Sequence, residues 1–334
     1  MAVFDSTSQS STGRLPSASA VEPQSTLKES PVSQFEITKS QYEALLKEAL
    51  KNIGVTHQPE QRPYVELKDL ILSRIHDVTS DQKLADRAST LGALVTVYFF
   101  PLHNKQTQLL IGLYSANWLI MDDTGKDMGF DIGRFKQRLI TQEQQPPLFK
   151  LEAWLFSEFD KVFPSMVANK IVAGALNAIS SLEVEIDESV EFKGLASPDF
   201  PRYFRNMTGT SEPYVYFLLT NEVYSMARLK HFIRAVPELW NFTDEINDLM
   251  SFYKESIVGT ERDTYVYHQT QFNETTIIEV LRGLGEDIRR RVKLIDEIFA
   301  DDEVLQKLAR EYVFGNVHFY FASERYRIKE LQLF

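Results

Sequence analysis

Residues 247–255 read Asn-Asp-Leu-Met-Ser-Phe-Tyr-Lys-Glu, which places Asn247, Ser251 and Glu255 at i, i+4 and i+8 within a segment of helical periodicity. Each four-residue step on an α-helix drifts by about 40°, so the three share one face and span about 12 Å of axis. Helical side chains lean toward the N-terminus, so the long Glu255 reaches back while Asn247 and Ser251 stay close to the axis. An amide oxygen, a hydroxyl and one carboxylate then make a weak, hard, oxygen-only site. That chemistry suits Mg²⁺ when a phosphate supplies the remaining ligands and charge. The bland alternative, a polar stripe on an amphipathic helix, explains any one of these residues more easily than all three in this order.

Outward from this block, the chain keeps helical spacing of apolar residues over 34–54, 222–255, 275–299 and 313–334, while strand-like alternation at regular intervals is missing. The run Leu-Val-Thr-Val-Tyr-Phe-Phe at 94–100 has strand propensity. A lone strand has nothing to pair with, so it is assigned to a buried helix. The expected fold class is all-α. Residues 1–35, with nine Ser and three Pro, read as a disordered leader, and 36–334 as a single helical domain.

Composition narrows the chemistry. Across 334 residues, 36 Lys and Arg stand against 47 Asp and Glu, a net charge of −11, which argues against a nucleic-acid partner held by its phosphates. With no Cys there is no disulfide, thiolate metal site or cysteine nucleophile, and a reducing cytosol fits. No apolar run is long enough for a membrane span: 91–102 is broken by Pro101, and 109–121 carries Ser115 and Asn117. Gly283 and Gly285 in Gly-Leu-Gly-Glu-Asp read as a helix break or cap, and Arg289–Arg291 as a solvated helix face.

The apolar stretch 109–120 runs directly into Met-Asp-Asp-Thr-Gly-Lys-Asp at 121–127, so Asp122 and Asp123 fall at the end of a buried helix. The C-terminal end of a helix carries partial negative charge, and paired acids there call for a cation, either a metal or an Arg. Asp301 and Asp302 show that the chain also makes acidic pairs for ordinary reasons. Asp127 lies about 140° round the helix from Asp122 and reads as a solvated acid. Arg205, Lys254 and Arg325 with Tyr326 are the cationic positions beside these motifs, and cations at a cavity rim recognise anions.

On Asp122-Asp123-Thr-Gly-Lys-Asp127, the segment from Phe200 to Gly209, the 247–255 block followed by Glu261-Arg262-Asp263, and Arg325-Tyr326-Arg327, the chain resembles the fungal class I sesquiterpene cyclases of the trichodiene synthase type. The likeness covers roughly residues 60–332. It implies a class I terpenoid synthase bundle of helices around a central apolar cavity. It further implies that Asp122 ligates two of three Mg²⁺ ions and that Asn247, Ser251 and Glu255 hold the third. Arg205, Lys254, Arg325 and Tyr326 would contact the diphosphate, and Asp123 would pair with Arg325 on closure. Farnesyl diphosphate would be ionised and cyclised to a sesquiterpene hydrocarbon or alcohol, in a cytoplasmic enzyme and possible homodimer. A carbocation needs a dry, aromatic chamber, for which Trp118, Trp240, Phe321 and Tyr98 are the candidates. Gly125, Asn206 and Ser323-Glu324 depart from the family pattern without removing a proposed ligand. Two other readings are a chain-elongating prenyltransferase, which needs a second Asp-rich motif, and a non-catalytic helical scaffold.

Overall fold

Local signals start the helices where the sequence places them. The computed structural model describes residues 33–186 and 192–334. In chain order its helices are α1 (Lys39–Asn52), α2 (Val65–Ile75), α3 (Gln82–Phe99), α4 (Lys105–Thr124), α5 (Gly129–Thr141), α6 (Pro147–Val162) and α7 (Ser165–Glu185). They continue with α8 (Phe200–Thr208), α9 (Ser211–Tyr216), α10 (Met226–Ile233), α11 (Val236–Phe252), α12 (Tyr265–Phe272), α13 (Ile277–Ile298) and α14 (Glu303–Ala322). Asp81 caps α3 by accepting from the Lys83 and Leu84 amides at 2.9 and 3.1 Å. Asn104 caps α4 through the Thr107 amide at 2.9 Å. Thr38 and Thr276 open α1 and α13 with capping boxes.

The described residues contain no strand, so the segment 94–100 is helical to Phe99, as the absence of a pairing partner requires. No described helix is long and apolar enough to cross a membrane. Gln34–Phe334 form one compact unit. Gln34 already belongs to it, its carbonyl accepting from the Ile277 amide at 3.0 Å. The leader expected over 1–35 falls almost wholly outside the described residues.

α4 is buried on every side from Leu110 to Met121, as a central helix must be. Its neighbour α3 crosses it at Gly92, where an added Cβ would run into the Gly112 carbonyl oxygen. α14 meets α3 the same way, Gly315 lying against the Tyr98 carbonyl. These two glycines let backbones approach to a distance no other residue permits, and they draw α3, α4 and α14 around a common space.

Two sequence expectations are corrected. Gly283 and Gly285 neither break nor cap a helix, because α13 runs through both. Gly285 is buried where α1 crosses, and its absent side chain makes room for Ala49. Arg291 does not belong to a solvated face: it is only 8% exposed and bonds Glu245 through Nε at 2.7 Å and Nη2 at 2.9 Å, and Glu238 through Nη1 at 2.7 Å. The pairing removes the cost of burying its charge.

Candidate active site

α4 leaves the core at Asp122 and Asp123, its negative end, where two arginines meet the acids. Arg325 Nη2 lies 3.7 Å from Asp122 Oδ2 and 3.7 Å from Asp123 Oδ1, and Arg87 donates to Asp123 Oδ2 at 2.9 Å. The Asp122 side chain is 67% exposed, yet it sits in a recess. Desolvation there raises its carboxyl above the ordinary range, Arg325 pulls it back and Asp123 raises it further.

α11 brings up the opposite wall. Leu239, Phe242, Ile246 and Leu249 bury one face of it, and Asn247 and Asp248 line the space beside α4. Asn247 Nδ2 donates to the Tyr320 hydroxyl at 2.9 Å, while its Oδ1 accepts from Arg205 Nη2 at 3.1 Å, so this bonding orients the amide with its oxygen toward the cation. Ser251 Oγ donates to Glu255 Oε2 at 2.8 Å. Just after Ser251 the helix widens into a π segment, Tyr253–Val258, which contains Glu255, a local distortion common at functional sites. It carries Lys254, whose Nζ lies 3.4 Å from Glu255 Oε1 and 3.5 Å from Glu261 Oε1.

The Arg205 guanidinium is held from three sides. Nε donates to Asp248 Oδ1 at 2.7 Å and Nη1 lies 3.2 Å from Asp244 Oδ1, which also accepts from Ser211 Oγ at 2.6 Å. Asp244 and Asp248 were not picked out by sequence, although Asp248 stands inside the decisive block and its i, i+4 spacing from Asp244 was readable. Burial raises the Asp248 carboxyl against the pull of Arg205. Glu185, at the end of α7, was also missed. Burial lifts its carboxyl to about 7, a Thr208 hydrogen bond opposes the shift, and the Asp122 charge adds to it.

These groups rim a cavity of about 660 Å³, and Asp122, Arg205, Asn247, Lys254, Glu255, Arg325 and Tyr326 all line it. Asp123 lines it too, whereas Ser251 reaches it through Glu255. Tyr326 is 9% exposed, with its ring 4.5 Å from that of Tyr320. Asp127, expected to be a solvated acid, is exposed. Among the described residues no three carboxylate or imidazole side chains converge as a metal site. The oxygens that do converge include an amide and a hydroxyl, and protein cations sit against them: Arg205 on Asn247, Lys254 on Glu255, Arg325 near Asp122 and Asp123. A set of hard oxygens that accepts cations in this way has the chemistry a Mg²⁺ ion needs.

The lining also includes an apolar and aromatic set, Leu91, Val95, Phe99, Trp118, Tyr214 and Phe319, beside the polar Ser115, Ser211, Thr243 and Asn316. Of the four aromatic candidates only Trp118 lines it. Tyr98 is displaced by helix phase: Leu91, Val95 and Phe99 form the inward stripe of α3, and Tyr98 sits about 100° round from Phe99. Its hydroxyl accepts from the Arg62 amide at 3.0 Å instead. Phe321 follows the lining residue Tyr320 by the same angle and packs on Phe334, ring centroids 5.5 Å apart. Trp240 shares the face of Asn247 but lies two turns, about 10.5 Å, down the axis of α11, below the cavity.

The solved linalool/nerolidol synthase of Streptomyces clavuligerus superposes with a TM-score of 0.56 over 80% of this chain and 98% of that one, at 13% identity, which establishes a shared fold. An (E)-beta farnesene synthase from Metarhizium brunneum is 28% identical over 244 residues, 72% of this chain and 73% of its own length. A longiborneol synthase from Gibberella zeae is 25% identical over 238 residues, 69% of each chain. The family model described as Trichodiene synthase (TRI5) matches residues 70–332, and it spans both walls of the cavity and the closing Arg325-Tyr326 turn. By that match the chain belongs to the trichodiene synthase family, and it is a class I terpene cyclase with the all-helical fold of that class.

Proposed function

We propose that the enzyme ionises farnesyl diphosphate with the help of Mg²⁺, cyclises the resulting carbocation to a sesquiterpene hydrocarbon or alcohol, and releases diphosphate. One observation carries this reading: the Asp122 end of α4 and the Asn247–Glu255 end of α11 converge on the mouth of a single cavity whose lining includes an aromatic set. Its volume lies within the range of about 300–1,000 Å³ usual for small-molecule sites. The relative named for (E)-beta farnesene supports a farnesyl chain.

Asp122 on one wall and Asn247, Ser251 and Glu255 on the other are the residues that would hold Mg²⁺. Bound there, Mg²⁺ supplies Lewis-acid neutralisation of the charge that grows on the leaving diphosphate. Lys254, Arg325 and Tyr326 supply hydrogen-bond donors to the same oxygens, aimed before the reaction begins. Arg205 joins them when its Nη2 exchanges Asn247 Oδ1 for a phosphate oxygen, which frees the amide oxygen, while Asp244 and Asp248 keep the guanidinium in place. Asp123 anchors Arg325 at the rim. Phe99, Trp118, Tyr214 and Phe319 exclude water and offer aromatic rings to the carbocation, the Tyr214 hydroxyl being engaged with Ser115 Oγ at 2.9 Å. A chain-elongating enzyme needs a second Asp-rich motif; on the facing helix Asp244 and Asp248 are taken up by Arg205, and Asn247, Ser251 and Glu255 stand at the proposed ligand positions. The absence of cysteine is compatible with a reducing cytosol, where we place the enzyme.

Incubation with farnesyl or geranyl diphosphate and Mg²⁺, followed by mass spectrometry of the organic layer, tests the proposal. A cyclic fifteen-carbon product that disappears on adding chelator is expected. A longer diphosphate, or unchanged substrate under all conditions, refutes it.

A further inference from the structure

Behind the aromatic wall, away from the mouth, α4 and α6 enclose polar atoms that the proposed reaction does not use. Glu152 on α6 is completely buried. Its Oε2 accepts from Asn117 Nδ2 at 2.8 Å, and the same amide donates to the Leu148 carbonyl at 3.3 Å. Its Oε1 is buried with no hydrogen-bond partner, and so are the Trp118 indole nitrogen and the Tyr114 hydroxyl on successive turns of α4. The Trp118 ring lies 6.1 Å from that of Tyr114, centroid to centroid, and follows Asn117, which holds the Glu152 carboxyl, so that the indole N–H influences the Glu152 charge. An acceptor and a donor thus stand next to each other, each without another partner. Buried polar groups of this kind are satisfied in the great majority of folded proteins.

We propose that Glu152 is a positioning residue: its carboxyl, fixed by Asn117, anchors the Trp118 N–H and so sets the tilt of the ring that Trp118 presents to the cavity. The anchor is on the side of the indole away from the substrate space, because Trp118 lines the cavity and Glu152 does not. Burial pushes the carboxyl up to about 8, which favours its neutral form at pH 7. No fixed negative charge therefore sits behind the wall to trap a carbocation at one carbon. Stabilisation of a cation by an aromatic ring depends on the face it meets, so the tilt of Trp118 decides which position of the substrate chain is favoured when charge passes. This role rests on the reading of the cavity as a cyclisation chamber; the anchor itself does not.

Two readouts separate these. Protein labelled with ¹⁵N at its three tryptophan indoles, with Trp118 assigned by loss of its resonance in W118F, reports the anchor without turnover. E152L is expected to move the Trp118 indole resonance, and E152Q to keep it near its wild-type position, its one amide oxygen facing the indole while the Asn117 amide turns its unpartnered Oδ1 to the new NH₂. In product analysis E152L is expected to shift the product ratio about threefold or more, the scale of a weakened cation–π contact. E152Q restores the ratio, and E152L adds nothing to W118F because both act through one N–H. An unmoved indole resonance in E152L, additive product shifts in the double variant, or an E152Q that moves the resonance as far as a lost acceptor would, overturns the proposal. If E152L does not fold, E152Q and W118F still decide it. A wild-type enzyme that makes no terpenoid refutes the chamber and leaves the indole resonance to judge the anchor.

Discussion

Replacing Glu152 by Gln changes one proton and almost no volume, and the structure sets how stability must respond. Burial lifts the Glu152 carboxyl from an ordinary 4.5 to about 8, with the Asn117 hydrogen bond and the nearby Trp118 N–H opposing the shift. Between those pH values the folded chain keeps the proton and the unfolded chain has released it. Unfolding therefore frees a proton, and this group's contribution to stability is present in full below pH 4.5 and declines as pH rises to 8. Each pH unit in that window is worth about 1.4 kcal/mol, so the whole span comes to about 5 kcal/mol. Glutamine has no proton to lose. The stability of E152Q relative to wild type should therefore climb by about 1.4 kcal/mol per pH unit, near 3 kcal/mol between pH 5.5 and 7.5. Urea denaturation of both proteins at three pH values across that interval measures it. Taking the difference cancels Glu185 and Asp248, which also titrate upward. The phenols of Tyr114 and Tyr214, which face Glu152, are held well above this range. A difference independent of pH would show that Glu152 is already charged in the folded protein and would refute the argument.

Other outcomes follow from the rim and the helix crossings. Asn247→Ala or Glu255→Ala should remove Mg²⁺-dependent turnover, seen as product formation below background, while circular dichroism keeps its helical signal; an unaltered rate would rule out the metal role. Arg325→Met takes the cation from between Asp122 and Asp123, so ionisation should slow and abnormal products appear in the chromatogram; a normal profile at normal rate would count against its place at the rim. Gly315→Ala puts a methyl against the Tyr98 carbonyl, backbone that cannot yield cheaply. A loss of about 1–3 kcal/mol in denaturant unfolding is expected, and an unchanged midpoint would mean that α14 can slide.

What the sequence disclosed and what it hid divide along the helix phase. Asn247 and Glu255 were readable as cavity-lining positions because oxygen-bearing residues spaced along one helix fix their own phase, and Trp118 lines the cavity on the same helix as Asp122. Tyr98 lies on a helix with no motif to fix its angle, and an error of one residue, about 100°, sends a side chain out of the cavity. Phe321 fails for the same reason, although Arg325 follows close behind it, because α14 ends at Ala322 and the turn beyond breaks the register. Arg291 and Glu152 were hidden for a different reason. A single charge declares its burial only when its partner is known, and Glu245 and Asn117 lie 46 and 35 positions away. Gly285 looked like a breaker because glycine disfavours helices locally. The crossing of α1, a tertiary fact, overrides that preference.

The widened turn at Tyr253–Val258 has a cost that bears on how this enzyme can change. A regular α-helix would cover the same rise with fewer residues and better hydrogen bonds, so a chain shortened by one position there gains regularity. Every side chain beyond the deletion then swings by about 100°, and the spacing that lets Ser251 meet Glu255 is lost. Selection for a sturdier helix and selection for convergent oxygens pull on this segment in opposite directions, and the irregular form records which of them prevailed.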